Sequence, residues 1–159
     1  MSAQQSIDGL KTFKFGDSPD LAKRLAALVV AGVKTGTCSA AAHGPDAKIG
    51  ERQICLSGDG VPVCEIETTT LNTLRFDDVT PEMAALEGEG DLSYRYWREA
   101  HEAYFKREGT WAPDMNVIFE TFRVTRRLDE AFAASADEMV KAERKEAFAN
   151  GYDALGAPQ

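Results

Sequence analysis

The junction between an amphipathic helix and the strand after it constrains this chain more than any other stretch. Ser18-Pro19-Asp20 reads as a helix start: serine is a good N-cap, proline suits the first helical position, and aspartate complements the dipole. Leu21, Leu25, Leu28 and Val29 form one apolar stripe at helical spacing, and Gly32 supplies the left-handed residue that ends the helix. Gly32-Val33-Lys34-Thr35-Gly36-Thr37-Cys38-Ser39 then reads as a turn feeding a short strand. Side chains alternate along an extended segment, so Thr35, Thr37 and Ser39 share one face and Cys38 and Ala40 the other. A lysine three residues before a hydroxyl, at the rim of a strand, pairs a proton acceptor with a nucleophile.

Downstream, the pattern predicts a strand at 53–56, turn chemistry at Ser57-Gly58-Asp59-Gly60, and a long strand over 61–74 rich in valine, isoleucine and threonine. Apolar and charged residues do not alternate cleanly in that run, which predicts a bulge. Thr80-Pro81-Glu82 opens a short helix ending near Glu87-Gly88, and the loop Glu87-Gly88-Glu89-Gly90-Asp91 carries three carboxylates separated by glycines. A longer helix over 93–108 sets Tyr94, Trp97, His101, Tyr104 and Phe105 on one face. A strand follows over 116–126, with Val117, Phe119, Thr121 and Phe122 expected on its buried side, and then an Ala-, Lys- and Glu-rich helix over 136–150. Residues 1–11 carry no firm signal, and 40–48, with His43, read as a loop. This order of elements predicts an α+β fold with a small mixed or closed sheet.

At 159 residues the chain is long enough for one ordinary domain and one core. No apolar run approaches the ~18 residues of a membrane span, and the first residues lack a signal-peptide pattern, so a cytoplasmic location without membrane partners is expected. Three cysteines without a C-x-x-C spacing and only two histidines speak against structural zinc. Cys55 and Cys64 flank a turn and are expected close together as thiols. A net charge of −8 argues against a tight, sequence-independent grip on nucleic acid, which requires many cations against phosphates, and leaves room for a local basic cleft. A nucleic-acid ligand should therefore be small or held by a few residues.

The runs G-V-K-T-G-T, V-P-V-C-E-I-E-T-T, V-T-P-E-M-A-A-L-E-G-E-G-D-L-S-Y-R-Y-W-R-E-A-H and D-M-N-V-I-F-E-T-F-R-V, in this order and spacing, resemble the ASCH domain, a family linked to RNA. The resemblance implies a PUA-like mixed β-barrel flanked by helices. It divides the chain into an N-terminal segment (1–12), an ASCH domain (13–127) and a C-terminal helical extension (128–159). That extension is expected to pack on the barrel or to mediate contacts in a homodimer.

Smaller bacterial proteins that this chain resembles are amidohydrolases of N4-acetylcytidine, using a lysine, a threonine three residues later, and a glutamate. Lys34, Thr37 and Glu87 match them, implying a base, a nucleophile and a supporting acid–base group. Those relatives follow the threonine with an apolar residue and an arginine, where this chain has Cys38 and Ser39. Thr35, Ser39, Arg95 and Arg98 are candidate substrate contacts. Another ASCH protein of similar length is a metal-dependent ribonuclease, and on that alternative Glu87, Glu89 and Asp91 would hold Mg²⁺ or Mn²⁺; the amidohydrolase reading needs no cofactor. The ligand expected is a modified pyrimidine nucleoside or a short RNA, and a non-catalytic RNA-binding module is the third reading.

Each residue also has a plainer role. Lys34 just past a helix end stabilises the exposed carbonyls by ~0.3–1 kcal/mol, and a catalytic amine there requires a pKa lowered from its usual value. Cys38 is expected as a small core residue rather than a rival nucleophile, and Trp97, His101 and Tyr104 as core rather than a base-stacking platform.

Overall fold

A computed structural model describes residues 6–45, 47–90 and 92–149. The chain runs β1 (Ser6–Ile7), β2 (Leu10–Phe13), α1 (Pro19–Val30), β3 (Gly36–Ala40), β4 (Arg52–Leu56), β5 (Pro62–Arg75), α2 (Pro81–Leu86), α3 (Tyr94–Glu108), β6 (Asn116–Arg127) and α4 (Glu130–Ala149). Short 3₁₀ turns lie at Ala41–His43 and Phe76–Asp78.

Three helices start as their sequences dictate. Ser18, Thr80 and Ser93 each accept a backbone N–H three residues on, from Leu21, Met83 and Tyr96, which satisfies one exposed donor at each N-terminus. At the end of α1, Gly32 adopts φ +80°, and the N–H groups of Val33 and Lys34 both return to the Leu28 carbonyl. The chain is thereby turned sharply, and the Lys34 side chain is directed inward.

The strands form one mixed sheet in the order β1-β2-β4-β5-β6-β3; only the β2–β4 pair is parallel. The mixed α+β sheet is as expected; among the described residues no pairing joins β3 back to β2, so closure into a barrel is not seen in these pairings. The expected irregularity in the long strand is present: register against β6 slips between Glu65 and Ile66 and again between Thr68 and Thr70. Of the stretch 1–11, which gave no signal, residues 6–11 supply β1 and the start of β2; these strands are too short to show a period, β1 pairs with β2, and the other partner of β2, β4, lies far along the chain.

One apolar cluster joins α1 to the sheet, with Leu25, Leu28 and Val29 against Val63, Ile66 and Phe122. Burying each such side chain contributes roughly 1.5–3 kcal/mol. Cys55 and Cys64 face each other across β4 and β5 as buried free thiols. α4 closes this side, with Ala136 in the cluster and Phe132, Ala133, Met139 and Val140 against it. It begins six residues before the predicted start, because the Asp129 side chain accepts the Phe132 N–H and nucleates the first turn. A second cluster is aromatic: Phe76 stacks on Trp97 at 5.1 Å and meets Trp111 edge-on at 4.9 Å, with Phe105 and Phe119 also buried there. No helix of the described residues is long and apolar enough to cross a membrane.

Candidate active site

Lys34 is 1% exposed, although lysine is almost never buried without partners. Its ammonium has three N–H groups and meets three acceptors: the Gly36 carbonyl at 2.9 Å, Glu87 Oε1 at 3.0 Å and Glu89 Oε2 at 3.3 Å. The ring of Phe15 lies 5.4 Å from it.

Glu87 sits at the C-cap of α2 and is itself 1% exposed. Besides Lys34, it accepts the indole N–H of Trp97 at 2.6 Å and faces His101 Nε2 at 3.2 Å. The other imidazole nitrogen, Nδ1, lies 2.9 Å from the Trp97 carbonyl, which can only accept. That network assigns a proton to Nδ1, and the anionic oxygen opposite Nε2 assigns a second, so His101 is an imidazolium. The sequence placed His101 in the core; it is buried, but its ring turns into this cluster while Trp97 and Phe105 fill the core.

These contacts decide the charges. Burial alone would raise the Glu87 pKa, but the cations His101 and Lys34 and the hydrogen bonds outweigh it and hold the carboxyl at about 2. Burial raises Glu89, and Lys34 offsets this only in part, so Glu89 is the carboxylate readier to take a proton. Burial would lower Lys34, yet Glu87 and Glu89 more than compensate and its pKa is raised. The lowered lysine pKa that a resting base requires is therefore not found: two carboxylates outweigh burial. Glu87 is thereby held as an anion, whereas Glu89 has the raised pKa.

Lys34, Thr37, Ser39, Glu87, Glu89 and His101 line one cavity of about 630 Å³, whose walls include Phe13, Phe15, Leu25, Ile118 and Tyr104. Thr37 is half-buried on β3, and its hydroxyl has no hydrogen bond to another described residue. Glu120 stands opposite it on β6 and lines the same cavity, and Glu120 Oε2 accepts the Thr68 hydroxyl at 2.8 Å. Sequence spacing could not reveal Glu120, because its place depends on strand register. Cys38 also reaches the cavity wall, but burial pushes its thiol well above the usual range, so it is a poor thiolate.

Three expected substrate contacts lie off the cavity wall. Thr35 precedes the strand, and its N–H is tied to the Leu86 carbonyl at 2.7 Å. Arg95 and Arg98 occupy the outer side of α3, held to Glu99 at 3.3 Å and to Asp77 at 2.9 Å. Asp91 lies outside the described residues.

Glu87, Glu89 and His101 each offer a ligand atom, all within 4.8 Å of one another. They do not fit Mg²⁺ or Mn²⁺ as arranged. The Lys34 ammonium already holds the carboxylate oxygens a hard cation would need, and the His101 nitrogen facing them carries a proton.

A family model described as the ASCH domain matches residues 11–126. Among solved structures, the chain is similar to an ASCH domain from Lactobacillus crispatus JV V101, with 32% identity and a TM-score of 0.66 over 71% of this chain and 77% of that one. It is also similar to a protein from Enterococcus faecalis V583, with 31% identity and a TM-score of 0.65 over 75% and 82%. The comparison with curated proteins found no match.

Proposed function

Because the chain belongs to the ASCH domain family, we propose that it is a hydrolase of an N4-acylated cytidine or a related pyrimidine nucleoside, cleaving the exocyclic amide without a metal ion. One observation carries this reading: a buried ammonium between two carboxylates of opposite pKa shift shares a cavity with a hydroxyl that has no hydrogen bond to another described residue.

In the resting site Lys34 is a cation and has no lone pair. Moving one of its protons to Glu89 leaves a neutral amine held by Glu87 and the Gly36 carbonyl. That amine accepts the Thr37 proton as Oγ1 bonds to the acyl carbon. The C–N bond then breaks, a proton passes from Lys34 to the departing amine, and water hydrolyses the acyl-threonine. Glu87 stays ionised throughout and stabilises the ammonium whenever it re-forms. Glu120, across from Thr37, offers an acceptor to an N–H of the substrate. A net charge of −8 favours a neutral nucleoside over a phosphate polymer.

The second reading is a metal-dependent ribonuclease, for which Glu87, Glu89 and His101 would have to hold a divalent ion; the ammonium and imidazolium already set against these carboxylates speak against it. Two assays separate the readings. The first predicts release of acetate from N4-acetylcytidine in EDTA, lost in Thr37→Ala. Cleavage of single-stranded RNA that needs Mn²⁺ or Mg²⁺ and is abolished by EDTA, without amide hydrolysis, would overturn it.

A further inference from the structure

The family match ends at residue 126, yet α4 reaches back to the loop that presents Glu89. Arg144 Nη1 donates to the Gly88 carbonyl at 3.0 Å and also to the Gly90 carbonyl. The neighbouring Glu143, 7% exposed, accepts the Gly90 N–H at 3.1 Å and pairs with Arg24 of α1. Three backbone polar groups of the Gly88–Gly90 segment are thus satisfied from α4.

The loop has little freedom on its other sides. Gly88 has φ +71°, and a Cβ there would fall 2.6 Å from the Val33 carbonyl oxygen. Gly90 has φ +58°, and a Cβ would fall 2.5 Å from the Tyr96 ring. The backbone between the two glycines is pressed against the α1–β3 turn and α3, leaving α4 to fix its direction. Glu89 is the central residue of that segment, and its carboxylate reaches Lys34.

We propose that Arg144 and Glu143 are positioning residues of the active site, which hold the Gly88–Gly90 loop so that Glu89 meets Lys34. The C-terminal helix is then a working part of this hydrolase rather than an appendage. This rests on the proposed amide hydrolysis for its kinetic consequence, but not for its geometric one. Because the hydrogen bonds of Arg144 to other described residues go to backbone carbonyls, its loss deletes no side chain around Lys34 and removes the restraint on the loop.

The test compares full-length Arg144→Ala, Arg144→Lys and, as a control on the exposed side of the same helix, Lys141→Ala. Two readouts are used: kcat and KM for N4-acetylcytidine across pH, and the ¹⁵Nζ resonance of Lys34. For Arg144→Ala the expectation is a kcat about 10–100-fold lower with KM within about twofold, a displaced acid limb of the pH profile, and a shifted Lys34 resonance. Arg144→Lys restores part of each, and Lys141→Ala changes none. Loss of kcat only in proportion to the unfolded fraction, with pH profile and resonance as in the wild type, would overturn the proposal. If the wild type does not hydrolyse the nucleoside, the proposed reaction fails, and the Lys34 resonance still decides the positioning role.

Discussion

Glu87 and Glu89 stand two residues apart and meet the same ammonium, yet they are held in opposite ways. Glu87 ends a helix, accepts from Lys34 and Trp97, faces the His101 imidazolium, and is kept ionised to about pH 2. Glu89 lies in a glycine loop, is 14% exposed at its side chain, has Lys34 as its one side-chain donor among the described residues, and has a raised pKa. Equal burial would have treated the two alike. The number of donors around each carboxylate is what separates a permanent counter-ion from a group able to exchange a proton.

Removing the shared cation breaks the comparison most completely. Lys34→Met should abolish turnover, by at least about 10³-fold, and cost about 3–5 kcal/mol of stability, since Glu87 is left buried with one cation fewer. Hydrolysis assays and urea unfolding check the two parts. Thr37→Val separates chemistry from stability: a comparable loss of turnover is expected with unfolding changed by less than about 1 kcal/mol, and Thr37→Ser should retain activity.

Acid sharpens the contrast. A carboxyl whose folded pKa lies below its unfolded value stabilises the protein above the unfolded pKa, and this contribution is lost as pH falls through the folded one. For Glu87 the window runs from 4.5 down to about 2 and is worth about 3 kcal/mol, opposed by Glu89, whose raised pKa has the reverse sign. Denaturant midpoints measured across that range should fall, and Glu87→Gln should flatten the decline. Glu89→Gln is gentler: about tenfold slower turnover and a lost acid limb, with stability unchanged or slightly higher at neutral pH. The smallest expected effect is none at all: EDTA leaves amide hydrolysis unchanged, checked by acetate release.

Local chemistry made much of this legible. The caps Ser18, Thr80 and Ser93 and the stop at Gly32 place α1, α2 and α3, and they deliver Lys34 and Glu87 to the places where they meet. What sequence could not supply depends on contacts far apart in the chain. His101 shares its helical face with core aromatics, so spacing alone hides that its ring turns to Glu87. Glu120 enters through β3–β6 register, and Arg144 through the docking of α4. Thr35 stands one residue before the strand, which begins at Gly36, so strand alternation does not govern its side chain.

The most direct measurement is a carboxyl ¹³C titration of Glu87 and Glu89 in the wild-type protein. Glu87 is expected to remain ionised down to about pH 2 while Glu89 takes up its proton above 4.5. Two carboxyls titrating together near 4.5 would contradict it.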